Sequence, residues 1–197
     1  LGREECGLEL QMAEKEVKLN EMRDLHFADA KENYDRFFAI EPIRKDVTWN
    51  SRNPLLFTVP FRDPKNERVS DLMKKNVEDE FRWNAWKLFL NFVESDSEDM
   101  THIVFEEGVT PHVDGTGNVI TMDANVPFSE YNIQWTVRHE YGHTLGFPDC
   151  YHEFYDEELE AFVSYQLDIT NLMCSRRGHF KQIHFDELKR VYYKESK

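Results

Sequence analysis

His139-Glu140-Tyr141-Gly142-His143-Thr144-Leu145-Gly146-Phe147-Pro148-Asp149 is the stretch that decides how this chain is read. On an α-helix, positions i and i+4 share a face, so His139 and His143 point the same way and can grip one metal ion. Glu140 follows His139 directly, which sets its carboxylate beside such an ion rather than on it. From there it can take a proton from a metal-activated water. Chance yields the three-residue pattern His139-Glu140-x-x-His143 in roughly 4% of shuffled chains, and adding Gly at 146 and Asp at 149 lowers this to on the order of 1 in 10,000. Gly146 permits the left-handed backbone that ends a helix, and Pro148 cannot easily continue one. The chain is therefore expected to reverse at Gly146 and return Asp149 to the two imidazoles. Two neutral histidines and one carboxylate leave a fourth position for water, the layout of a catalytic zinc site rather than a closed structural one. His152 is a rival third ligand whose register after Gly146 fits less well.

This segment resembles the extended zinc signature of the metzincin metallopeptidases, with Asp149 where most members carry a third histidine. Together with Pro148 and Tyr151 it is similar to the snapalysin-type secreted bacterial proteases. The resemblance implies a zinc-dependent endopeptidase, with Zn2+ as cofactor, a polypeptide substrate and a secreted or otherwise extracytoplasmic setting. It also implies a methionine turn beneath the metal, for which Met173 in Asn171-Leu172-Met173-Cys174-Ser175 is the candidate. An ordinary core methionine is the other reading. Upstream, the run beginning Asp114-Gly115-Thr116-Gly117-Asn118 resembles the loop and edge strand of matrixin-type metzincins. That likeness implies that Ile120, Thr121, Met122, Asp123 and Ala124 bind substrate, pairing antiparallel with its backbone. A tight turn between two strands is the plainer reading of the glycine-rich loop.

The fold class expected is α+β. A twisted, mostly parallel sheet with an antiparallel edge strand carries a long packing helix and the zinc-site helix, preceded by an N-terminal helical segment. Residues 1–45 read as a helical extension or prosegment remnant, with Leu8, Met12, Leu19 and Met22 near helical spacing, and residues 46–197 as the catalytic domain. Within the latter, Leu55 to Phe61 reads as a first strand. Ser70 is the expected N-cap of a helix running to about Phe92, on the spacing of Met73, Val77, Phe81, Ala85, Leu88 and Phe92. His102 to Glu106 reads as a strand, Glu153 to Glu160 as a solvated acidic stretch, and Asp186 to Tyr193 as a terminal helix.

A chain of 197 residues with 24 basic and 38 acidic side chains, net −14, repels phosphate backbones, which argues against nucleic acid as a partner. No stretch is long and apolar enough to span a bilayer. Cys150 and Cys174 adjoin the proposed ligand and the proposed turn methionine, so they stand either as a disulfide or as buried thiols. Cys6 allows self-inhibition by the N-terminal segment, since a thiolate on the metal would block the water position. Tyr151, Tyr155 and Tyr165 are candidate phenol donors to a tetrahedral oxyanion. Two rivals stand beside the endopeptidase. One is a gluzincin-type zinc hydrolase using Glu157, Glu158 or Glu160 on a helix. The other is a latent zinc-containing protein-interaction module, in which the general base Glu140 has no purpose.

Overall fold

A computed structural model describes residues 3–95, 97 and 99–194, apart from the side chains of Arg3, Glu4 and Cys6. The chain divides into two compact units, Leu1–Phe37 and Phe38–Lys197. The first is a helical hairpin of α1 (Arg3–Lys15) and α2 (Leu19–Arg36). Its tight connection has Val17 at φ 57° and Lys18 N donating to Ala13 O at 2.8 Å. No residue of α2 is buried. The second unit begins with Phe38 and Ile40, both buried in its core.

Among its described residues the second unit mixes helices with four small sheets, an α+β arrangement. Strand β1 (Trp49–Asn50) pairs in parallel with β10 (Tyr193–Lys194), the two ends of the unit. Strand β2 (Leu56–Arg62) pairs in parallel with β4 (Trp86–Val93), whose other edge holds β3 (Arg82–Trp83) antiparallel. A second three-stranded sheet has the order β5 (His102–Glu106), β7 (Val119–Asp123), β6 (His112–Val113). Helix α4 (Ile133–Thr144) is followed by a hairpin of β8 (Tyr151–Asp156) and β9 (Ala161–Gln166), and then by α5 (Gln182–Tyr192).

Three expectations are corrected here. The long packing helix does not form. Asn66, not Ser70, caps a short α3 (Glu67–Met73), its Oδ1 accepting from Arg68 N and Val69 N, and one π-helical turn (Lys74–Glu78) follows. The rest is strand. Trp86, Leu88 and Leu90 are buried in alternation with exposed Lys87, Phe89 and Asn91, a period of two that places one apolar row against the core. Leu88 and Phe92 fit both periods, and that ambiguity let the helical spacing run on. The single mostly parallel sheet is instead two three-stranded sheets, each with one parallel pair and one two-residue antiparallel strand. Residues 119–123 are not an edge: β7 is the central strand, paired with β5 on one side and β6 on the other.

The core lies between the β2–β4 sheet and helices α4 and α5. Phe57, Phe61, Phe81, Trp86 and Leu88 are buried together with Val137, Tyr141 and Leu145 of the α4 segment and Leu188 and Tyr192 of α5, all within a few per cent of full burial. Each such side chain contributes roughly 1.5–3 kcal/mol by leaving water. The Tyr192 hydroxyl donates to Leu145 O at 2.9 Å and accepts from Arg44 N at 3.1 Å, so α5 holds the C-terminal end of α4 in place. Arg138 reaches the other side of that helix and donates to Glu80 at 2.9 Å in a buried pair, whose second oxygen accepts from Phe180 N at 2.6 Å.

Candidate metal centre

Helix α4 presents His139 and His143 one turn apart and ends as its sequence dictates. Gly146 takes φ 92°, its N–H donates to His143 O at 2.8 Å, and Phe147 N donates to Gly142 O at 3.3 Å. These two bonds make a Schellman reversal, which needs a residue free to adopt the left-handed region. Any side chain at 146 would also meet Pro42 O at 2.5 Å. The reversal does two things at once. It turns Phe147 O onto His143 Nδ1, which donates to it at 2.8 Å, and it returns Asp149 to the imidazoles.

His139 is oriented from elsewhere in the chain, its Nδ1 donating to Leu172 O at 2.8 Å. With both Nδ1 atoms protonated and bonded to carbonyls, both Nε2 atoms carry bare lone pairs. They face each other at 3.2 Å, and Asp149 Oδ1 stands 3.1 Å from the first and 3.2 Å from the second. Oδ1 is buried and has no hydrogen-bond donor among the described residues. Three acceptors converging on one point repel unless something positive sits between them. Ligand atoms 2.0–2.1 Å from a tetrahedral zinc ion stand roughly 3.3 Å apart, close to the observed triangle. His139, His143 and Asp149 can therefore hold a metal ion, and they are the one such group among the described residues. A proton is the competing occupant. Burial disfavours the His143 cation, but the Asp149 carboxylate outweighs it and raises that pKa. Burial likewise opposes the Asp149 charge, yet the two imidazoles hold its carboxyl well below the usual range.

Glu140 is buried beside this group, and burial pushes its carboxyl up against the lowering influence of His139, His143 and Arg176. Met173 lies directly beneath α4. A Cβ on Gly142 would come within 2.4 Å of its Sδ, so the glycine between the histidines is what lets the turn approach. That turn is closed by Asn171: its Oδ1 accepts from Met173 N at 2.8 Å, and its carbonyl accepts from Cys174 N and Ser175 N. His184, buried in α5, bonds the same Oδ1 at 2.9 Å. A disulfide joins Cys150 to Cys174, choosing between the two readings of those cysteines and tying the Asp149 segment to the turn. The Cys6 side chain lies outside the described residues.

A cleft of about 780 Å³ opens over His139, Glu140, His143 and Asp149. Residues 110–115, Tyr151, Gln166 and residues 174–177 line it around them. Ile120, Thr121, Met122, Asp123 and Ala124 do not line it. The outer strand β6 does, lying between them and the cleft side of its sheet. Pro111 just before β6 was the available signal, since proline is confined to edge strands and strand starts. Arg176 and Arg177, exposed in the cleft wall, were also missed, although they are a basic pair directly after the turn methionine in an acidic chain. Asp114 is used by its own loop, its Oδ1 accepting from Asn118 N and Val119 N at 3.0 and 2.9 Å, as a tight turn requires. Of the three tyrosines, only Tyr151 lines the cleft. Burial and the neighbouring Asp149 push its phenol up to about 12. Tyr155 and Tyr165 are exposed on the β8–β9 hairpin. Glu157, Glu158 and Glu160 occupy that hairpin's exposed tip rather than a helix, and neither they nor His152 joins the metal group.

No protein-family model matches the chain, and no curated protein does either. Two solved structures of myroilysin are similar, one at TM-score 0.35 and 19% identity over 54% of this chain and 53% of that one. The other has TM-score 0.35 and 17% identity over 57% of this chain and 56% of that one. The chain thus aligns with about half the length of each.

Proposed function

We propose that the second unit is a zinc-dependent endopeptidase of the metzincin type. One observation carries this reading: three lone pairs from His139, His143 and Asp149 meet within 3.2 Å of one another at the floor of an open cleft, with Glu140 beside them. Two imidazoles and a carboxylate are a donor set suited to zinc, and they leave one tetrahedral position unclaimed. When bound, the ion supplies a Lewis acid that polarises the scissile carbonyl and makes water acidic near neutral pH.

The chain's own residues do the remaining work. The Glu140 carboxylate takes the proton of the attacking water and delivers it to the leaving amine; burial, by raising its pKa, moves it towards the neutral range where a general base works best. The Tyr151 phenol stays protonated at neutral pH and serves as a donor to the developing oxyanion. Strand β6 receives the substrate backbone by strand addition, taking the role expected of Ile120 to Ala124. Met173 supports the helix between the two histidines as the turn methionine. The Cys150–Cys174 bridge fits work in an oxidising, extracytoplasmic compartment. The N-terminal unit, with Cys6, is the candidate self-inhibitor.

Glu140→Ala should retain one zinc per chain and lose peptide hydrolysis by about 10²–10⁴-fold, whereas His143→Ala should lose both metal and activity. Metal analysis beside a casein assay reads both. Near-normal turnover in the glutamate variant, or zinc with no cleavage in the unmodified protein and in residues 38–197 alone, would overturn the proposal.

A further inference from the structure

The β8–β9 hairpin carries its large side chains where water reaches them. Phe162 is 84% exposed and Tyr155 is 52% exposed, yet their rings lie 5.4 Å apart in an edge-to-face pair. Two-stranded hairpins are marginal on their own, and this one has no third strand among the described residues. Its base is fixed instead, by the disulfide at Cys150 and by Leu167 N donating to Cys150 O at 3.1 Å.

Side chains alternate across a strand, so one face of the hairpin carries Tyr151, Glu153 and Tyr155 with their partners Gln166, Ser164 and Phe162. Three of these six, Tyr151, Glu153 and Gln166, line the cleft. The face that walls the candidate active site therefore continues outward, without a change of side, to the Tyr155–Phe162 pair. From Tyr151 to Tyr155 is four residues, or ~13 Å along a strand, the span of about four residues of an extended polypeptide. Beyond the pair lie Glu157, Glu158 and Glu160 at the tip. The opposite face, with Phe154 stacked on Tyr165, does not reach the cleft.

Resting on the endopeptidase reading, we infer that Tyr155 and Phe162 form an anchor for the substrate. It takes a large apolar side chain about four residues from the scissile bond, in a polypeptide with Lys or Arg next beyond it, opposite the acidic tip. A second copy of this chain is a poor occupant, because it would bring two acidic tips together on chains of net charge −14.

The test uses two fluorogenic peptides with one shared cleavage site. The short one stops about two residues from the bond on each side; the long one adds Phe at the fourth position and Lys after it. The long peptide should show kcat/KM about 10-fold above the short one, the advantage of one aromatic anchor. Phe162→Ser should remove that advantage, and so should Ser for the peptide's Phe on the unaltered protein, an arm that needs no variant to fold. Tyr165→Ser, on the far face, should keep it. An advantage that survives either anchor change, or that Tyr165→Ser abolishes equally, overturns the inference. Fluorescence anisotropy of the labelled long peptide separates the two claims. If the protein cleaves nothing, the endopeptidase reading fails, while the anchor stands on a roughly 10-fold weaker Kd in Phe162→Ser and falls without it.

Discussion

Helix α4 and the β8–β9 hairpin are neighbours in sequence and opposites in physics. The helix buries nine of its twelve residues and fixes each histidine through a backbone carbonyl, one from its own reversal and one from the turn at 171–175. The hairpin is exposed on both faces and is held by its base. On the proposed reading, the contrast separates two tasks. Chemistry needs donor atoms held to fractions of an ångström, which buried backbone partners supply. Recognition of varied polypeptides tolerates exposed rings that gain their full cover only when something binds.

Four measurements would sharpen or break that contrast. The largest effect is expected beneath the helix. Arg138→Ala leaves Glu80 buried without its cation and should lower stability by about 3–5 kcal/mol in urea unfolding; a loss under 1 kcal/mol would mean the helix is not anchored there. Next comes pH. Burial lowers the His184 pKa from 6.5 to about 4, so below pH 6.5 the unfolded chain binds a proton that the folded chain refuses. Stability is complete above that pH and falls by about 3 kcal/mol as pH drops towards 4. His184→Gln, which can still bond Asn171, should flatten that slope. Third, replacing Cys150 and Cys174 by Ser opens a loop closed across 24 residues and should cost about 3 kcal/mol. Hydrogen exchange should rise most in the hairpin if its base is what holds it. The smallest effect belongs to the hairpin surface: Phe162→Ser should change stability by no more than about 0.5 kcal/mol. A larger loss would show that the rings already have cover in the free protein.

The same contrast explains what could be read from the residues alone. His139, Glu140, His143, Gly146 and Asp149 are tied by local rules, a helical turn and a glycine reversal, and both rules operate within eleven positions. Their supports are not local. Leu172 O reaches His139 from 33 residues away, and Asn171 and His184 brace that turn; the resemblance pointed to the turn through Met173, but no local rule assigned the carbonyl or His184 to it. Residues 86–93 failed for another reason, because Leu88 and Phe92 satisfy a helical spacing while Trp86, Leu88 and Leu90 satisfy a strand. Glu153 to Glu160 reads as a solvated acidic stretch, which hid the hairpin over 151–166. Its β-branched and aromatic residues, Tyr151, Phe154, Tyr155, Phe162, Val163 and Tyr165, favoured strands, but exposure on both faces left no alternation to read. The outer position of β6 depended on sheet order, for which Pro111 was the one local sign.

The glycine reversal has a practical corollary. Because one eleven-residue run brings all three donors and orients one ring by itself, a host helix would have to offer only a single outside carbonyl, in the place of Leu172 O, to accept it. The motif is thus closer to a portable part than to a property of the surrounding domain, and any insertion between 143 and 149 would break it at the joint.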